Sequence, residues 1–273
     1  MKLTVKPARR LHGNFRLPPD SALAQRAALL SVLCTGKSTI NNWPGDHAAA
    51  AALECASRLG AGVTPGRQVV QIDGRKSPET AAVELNCTGA HTTFWLTAGL
   101  LAGQRHPSLL VGDVPSALRA TVVESLRNMG ATIEISGDGE TILKFKPAVL
   151  PGSSIKTGSL LPSAKDAVLM ASLFASSPTA ITEELPLPDS LERVLPAYGV
   201  EPAISHPERP LSRREQILSA AGPLPDLDKF HKRIEIIPSP TPLRPVDWVL
   251  PGDFDLAAPL VAAASVRRGS EII

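Results

Sequence analysis

The stretch Leu17-Pro18-Pro19-Asp20-Ser21-Ala22-Leu23-Ala24-Gln25-Arg26-Ala27 joins a proline-stiffened loop to an Ala/Leu-rich segment of helical pattern. A helix start can hold an anion, because its first backbone N–H groups lack intrahelical acceptors and lie at the positive end of the helix dipole. Arg26 lies one turn further on and adds a full charge. The same residues also fit a plainer arrangement, in which Asp20 or Ser21 caps the helix and Arg26 faces solvent. The sequence leaves both open.

Other chemistries find little support. Gly36-Lys37-Ser38 resembles the end of a phosphate-binding loop, but that loop needs Gly-x-x-x-x-Gly-Lys between a strand and a helix, and here a helix precedes it. The six histidines (His12, His47, His91, His106, His206, His231) form no ligand pair at helical spacing, so no metal site is expected. Gly-x-Ser-x-Gly, paired Cys ligands and Gly-x-Gly-x-x-Gly are missing, and nothing demands a cofactor. Cys34, Cys55 and Cys87 are odd in number, lie among apolar or small residues, and are expected to be reduced, buried thiols.

A net charge of +2, with basic pairs only at Arg213-Arg214, Lys232-Arg233 and Arg267-Arg268, does not argue for a nucleic-acid partner. Aromatic residues at 4% are too few for base-stacking platforms. An apolar share of 43% is ample for a buried core. No run of about eighteen apolar residues occurs, and Met1-Lys2-Leu3-Thr4-Val5 lacks the apolar stretch of a signal peptide. A soluble cytoplasmic protein without a membrane partner is the expectation, and a small anionic ligand remains open.

The elements that must position Arg26 recur. Arg58-Leu59-Gly60-Ala61, Asn128-Met129-Gly130-Ala131 and Ala197-Tyr198-Gly199-Val200 end three similar segments, with their glycines 70 and then 69 residues apart. Each glycine follows an amphipathic helical stretch (Ala48 to Leu59, Ser116 to Met129, Asp189 to Tyr198). Before each of these come an apolar helix (Ala22 to Cys34, Thr92 to Ala102, Ser163 to Ala175) and a short strand (Ser38 to Asn42, Ser108 to Val111, Ala180 to Glu184). Asp46 is placed to cap the second helix of the first module. Ala131 to Ile135 and Thr141 to Phe145 alternate about Gly137-Asp138-Gly139 as a hairpin. Lys2 to Pro7 reads as a further strand.

Ten prolines between Pro202 and Pro251, against an average usage of about 5%, exclude a long helix there and leave Arg233 to Ile237 and Asp247 to Leu250 as edge or crossover strands. Asp255 to Val266 and Ser270 to Ile273 then read as the first helix and strand of a fourth copy without its second half. The expectation from this is a truncated chain or a reduced homologue.

Over essentially its whole length the chain resembles the enolpyruvyl transferases, specifically the 5-enolpyruvylshikimate-3-phosphate synthase family. The resemblance is carried by the loop from Leu17, then Gly36-Lys37-Ser38 and Asp46, then Thr92-Thr93, Ala98 to Gly103, Gly112-Asp113 and Glu124 to Ala131. Ala164-Lys165-Asp166-Ala167, Asp189 to Arg193, and Pro251-Gly252-Asp253 with Ala257-Ala258 continue it. It implies an α/β fold of repeated βαβαββ-type modules in a pseudo-threefold arrangement, with one full domain and part of a second. Residues 12–225 would form the three-module domain, and residues 1–11 and 226–273 part of the other.

The resemblance also implies binding of phosphoenolpyruvate and shikimate 3-phosphate, and transfer of the enolpyruvyl group with release of phosphate. The substrate-binding positions it implies are Ser21, Arg26, Thr92, Arg119, Ser163 and Lys165. Ser21 stands where the family has lysine, Trp95 where it has arginine, and Leu161-Pro162-Ser163 where it has Ser-Ser-Gln. Arg119 is the nearest match to a further arginine. The acid and base groups of the family fall beyond Ile273. Self-association, or a partner chain, would supply the missing modules.

Overall fold

The computed structural model describes residues 10–74, 83–137, 140–156, 162–183, 187–206, 232–238 and 242–273. The expected strand Lys2 to Pro7, the hairpin tip at 138–139 and the pair Arg213-Arg214 lie outside these residues. In chain order the elements begin with β1 (His12–Gly13), α1 (Ser21–Ser31), β2 (Gly36–Asn41), α2 (His47–Arg58), β3 (Gly62–Pro65) and β4 (Val69–Gly74). Then come β5 (Val83–Asn86), α3 (His91–Ala102), β6 (Ser108–Gly112), α4 (Ser116–Asn128), β7 (Thr132–Ser136) and β8 (Thr141–Lys146). β9 (Ser154–Lys156), α5 (Pro162–Ser172), β10 (Thr179–Glu183), a 3₁₀ turn (Leu195–Tyr198), β11 (Ala203–Ser205) and β12 (Lys232–Ile236) follow, then β13 (Asp247–Val249), α6 (Phe254–Ser265) and β14 (Glu271–Ile272).

Three four-stranded sheets share one plan. Their orders are β13-β2-β4-β3, β5-β6-β8-β7 and β9-β10-β12-β11, and in each the first pair is parallel and the other two are antiparallel. The inward faces follow the period of two that a strand imposes, as in β4, where Val70 and Ile72 are buried, and β8, where Leu143 and Phe145 are. In the first sheet the edge position filled elsewhere by β5 or β9 is taken by β13, more than two hundred residues downstream of β2. Similarly, β12 lies inside the third sheet, between β10 and β11, with Ile234 and Ile236 in the core.

The helices divide by composition. α1, α3 and α5 carry Ala, Leu, Gly and small polar residues on all sides, and each is buried along most of its length. α3 and α5 approach so closely that a Cβ on Gly99 would collide with the Ala167 carbonyl oxygen and lie 2.8 Å from the Met170 Cβ. α2 and α4 are amphipathic and bury one stripe each, Ala49, Ala52, Cys55 and Ala56 in α2 and Val122, Val123, Ser125 and Leu126 in α4. Asp46 caps α2 through the Ala49 N–H at 2.9 Å, as its position suggests.

The recurring glycines have a common cause. Gly60, Gly130 and Gly199 have φ of 94°, 100° and 88°, and the next residue in each case donates five positions back, Ala61 to Ala56, Ala131 to Leu126 and Val200 to Leu195. This is the left-handed helix terminus that glycine adopts without a Cβ penalty. In the third instance the expected helix from Asp189 to Tyr198 is absent. Pro196 has no N–H to donate and disfavours helical backbone at the residue before it, so only turns and the 3₁₀ segment form.

Cys34, Cys55 and Cys87 are buried free thiols, with Cys55 and Cys87 Sγ atoms 3.4 Å apart. Burial pushes the Cys34 thiol up to about 12, against a hydrogen bond with Ser38. Beyond the three sheets, β1 pairs in parallel with β14, and α6 packs beside them. Among the described residues, no helix is long and apolar enough to cross a membrane.

Candidate anion-binding site at three helix starts

α1, α3 and α5 bring their first turns together, and the sequence around each start explains how. Asp20 caps α1 by accepting the Leu23 N–H at 2.8 Å. α3 has no side-chain cap of its own. Gln25 takes over: its Oε1 accepts from the Thr93 N–H at 3.0 Å and the Thr93 hydroxyl at 2.8 Å, while its Nε2 donates to the carbonyl and hydroxyl oxygens of Ser21. One buried amide thus ties the first turns of two helices.

The third start joins through charge. Arg26 Nη2 donates to Asp166 Oδ2 of α5 at 2.6 Å, with the two side chains 11% and 6% exposed, and Arg26 Nη1 donates to the Ala22 carbonyl at 3.0 Å. These groups border a cavity of about 120 Å³ lined by Arg26, Thr92, Trp95, Pro162, Ser163 and Asp166. Helical spacing selects the lining, since Trp95 is three residues after Thr92, and Asp166 three after Ser163. Arg26 Nε and Asp166 Oδ1 are both buried without a hydrogen-bond partner. Burial pushes the Asp166 carboxyl up, while the Arg26 charge and hydrogen bond pull it down and leave it above the usual carboxylate range.

Arg26, Thr92 and Ser163, expected as substrate-binding residues, all line this cavity, and Ser21 lies one turn from Arg26 with its hydroxyl held by Gln25. Arg26 does not face solvent. Arg119 is placed elsewhere, on α4, with Nη1 3.2 Å from the Thr141 hydroxyl of β8. Lys165 points away from the cavity, because successive helical residues differ by about 100° and Asp166 holds the cavity face.

Lys165 Nζ is fully enclosed and donates to Glu183 Oε1 at 2.8 Å, Glu192 Oε1 at 2.7 Å and the Pro188 carbonyl at 2.6 Å. Lys232 completes the cluster through Asp189 and through Glu192 at 3.3 Å. Oxygens of Glu183, Asp189 and Glu192 lie within 4.8 Å of one another, and among the described residues Lys165 and Lys232 form ion pairs with them. Pro18 and Pro19 line a separate cavity of about 370 Å³ with Arg16, Asn42, Trp43 and Arg67. Gln25 and Asp166 are cavity-building residues that sequence reasoning missed; the one-turn spacing from Ser21 and from Ser163 was the available signal.

Comparison with known proteins identifies the family. The family profile described as EPSP synthase (3-phosphoshikimate 1-carboxyvinyltransferase) matches residues 5–273. A curated 3-phosphoshikimate 1-carboxyvinyltransferase of Xanthomonas campestris pv. campestris (strain B100) is 30% identical over 271 residues, covering 96% of this chain and 55% of the relative. One from Salinibacter ruber (strain DSM 13855 / M31) is 29% identical over 282 residues, covering 100% of this chain and 59% of the relative. The chain therefore spans little more than half the length of these relatives. A solved EPSP synthase structure from Acinetobacter baumannii superposes with a TM-score of 0.72 at 21% identity, over 96% of this chain and 55% of that one, and so shares the fold. With a matching profile over nearly every residue and the same mixed α/β architecture, the chain belongs to the EPSP synthase family.

Proposed function

We propose that this chain is the anion-binding part of an enolpyruvyl transferase, and that it binds shikimate-type and phosphoenolpyruvate-type ligands at the starts of α1, α3 and α5. The observation that carries the reading is the convergence of Arg26, Thr92 and Ser163 on one cavity in a chain of this family. Converging helix starts favour negative charge, and Arg26 adds to them. The other substrate-binding positions implied by the resemblance divide: Ser21 supports the site through Gln25, whereas Arg119 and Lys165 serve the packing of their own modules. A cytoplasmic setting and the absence of nucleic-acid, membrane, metal and cofactor partners belong to the same proposal.

The domain division that best fits the strand pairing sets the described residues between 19 and 250 as the three-sheet body and the described residues 10–17 and 252–273 as part of a second. The supporting observation is one antiparallel crossing, where the Asp20 N–H donates to the Pro251 carbonyl at 2.9 Å and the Asp253 N–H to the Pro18 carbonyl at 2.8 Å. Past the crossing, α6 leaves Phe254 73% and Leu256 53% exposed and has no buried residue. Such an apolar helix fits a further packed body, from the same polypeptide or from another chain.

The test is phosphate release from phosphoenolpyruvate plus shikimate 3-phosphate, with calorimetric titration of shikimate 3-phosphate in parallel. The proposal expects weak binding lost in Arg26→Ala, and no turnover without the remaining modules. Full turnover by this chain alone, or binding indifferent to Arg26, contradicts it.

A further inference from the structure

The cavity carries its own anion. We infer that Asp166 is an internal counter-ion that occupies Arg26 and makes the cavity select a hydroxyl-bearing group over a phosphate. This rests on the reading of the cavity as the ligand site.

The geometry is specific. Asp166 Oδ2 takes the outer guanidinium N–H of Arg26 at 2.6 Å, an end that an incoming phosphate would otherwise use. The pair is shielded from water, with side chains 11% and 6% exposed, so solvent does little to weaken its attraction. A phosphate at the cavity must either displace a carboxylate held by an arginine or lie beside it as a second anion.

What the pair leaves unused is one buried donor and one buried acceptor, Arg26 Nε and Asp166 Oδ1. Buried polar atoms of this kind are ordinarily satisfied, and their lack of partners within the protein points to a ligand. A hydroxyl carries both the proton that an acceptor such as Oδ1 lacks and the lone pair that an N–H such as Nε lacks. A fully ionised phosphate accepts only, and would face Oδ1 with like charge. The hydroxyls of Ser163 and Thr92 border the same space and can serve a hydroxyl or a phosphate equally.

The neighbouring charges act on Asp166 in opposite directions. Lys165, next in sequence, gives its donors to Glu183, Glu192 and the Pro188 carbonyl, and Glu192 adds a further negative charge that bears on Asp166. Among the described lining residues Arg26 is the cation, and Asp166 offsets part of its charge.

Calorimetric titrations of the purified chain with shikimate, shikimate 3-phosphate and inorganic sulfate distinguish the possibilities. The wild type is expected to bind shikimate and shikimate 3-phosphate with comparable affinity. In Asp166→Asn and Asp166→Ser the preference for the phosphate ester should rise about tenfold or more, as removal of a like charge from a shielded site commonly does, and sulfate should bind more tightly. A gain of affinity is not produced by a damaged fold. The double variant Arg26→Ala/Asp166→Asn should lose that gain. An unchanged ratio of the two affinities in both Asp166 variants overturns the inference while leaving the ligand site standing. No binding of any of the three ligands by wild type or variants at about 10 mM, roughly the weakest specific range, overturns the inference and the proposed function together.

Discussion

Trp248 Nε1 donates to Tyr198 Oη at 3.1 Å, with ring centroids 6.5 Å apart. The phenol in turn donates to the Ala27 carbonyl at 2.9 Å and lies 3.3 Å from the Ser31 hydroxyl. One hydroxyl therefore joins β13, the 3₁₀ turn of the third module and α1. Burial pushes its ionisation above the usual tyrosine range, against hydrogen bonds with Ser31 and Trp248. Tyr198→Phe strands the indole N–H, while the Ala27 carbonyl keeps the Ser31 hydroxyl at 2.7 Å, and the variant is expected to lower stability by about 1–3 kcal/mol in urea denaturation. A change near zero would mean that water satisfies the indole N–H.

Gly99→Ala tests the contact between α3 and α5. In an isolated helix alanine is favoured over glycine by about 1 kcal/mol. Here the added methyl meets the Ala167 carbonyl and the Met170 side chain. Overpacking of this kind costs about 1–3 kcal/mol, so the variant should melt lower than wild type. A rise in melting temperature would show that the helices separate without cost.

Lys165→Met addresses the buried charge cluster. The substitution leaves Glu183 and Glu192 without their shared ammonium group, and removal of one partner from a buried ion pair costs about 3–5 kcal/mol. Chemical denaturation should show this loss. Lys165 faces away from the cavity, and its charge favours the ionised Asp166 carboxylate, so sulfate affinity of the folded protein should not fall; a parallel loss of sulfate affinity would place Lys165 at the ligand after all.

The pH dependence of anion binding has a definite sign. Asp166 is held above the usual carboxylate range by burial, with Arg26 from α1, Lys165 on its own helix and Glu192 as the charged groups bearing on it. Protonation removes the negative charge opposite Arg26, so sulfate, a dianion well below neutrality, should bind more tightly as pH falls from neutral toward the range in which Asp166 takes up its proton. Titrations at the two ends are the measurement. The trend should flatten in Asp166→Asn, and a steeper trend there would assign the titration to another group.

Much of the architecture is legible from local pattern. The glycines at 60, 130 and 199 mark helix ends because only a residue without Cβ adopts positive φ freely, and Asp20 and Asp46 mark helix starts because a short carboxylate reaches the free N–H groups of the first turn. Alternation along Thr141 to Lys146 shows a half-buried strand for the same local reason. Pro196 stood in the sequence as a warning against the helix expected over Asp189 to Tyr198, and glycine spacing alone masked it.

Long-range pairing is different. That Asp247–Val249 completes the first sheet beside β2, and that Lys232–Ile236 lies inside the third, is a matter of backbone pairing between segments far apart in the chain. A proline-rich stretch carries no local signal of its partner. The site shows the same division. Arg26 was evident as a cation one turn into a helix, but its pairing with Asp166, 140 residues away, arises only when α1 and α5 pack with their first turns adjacent. Helix spacing determines which residues share a face; packing decides which faces meet, because burial rewards contact without regard to distance along the chain.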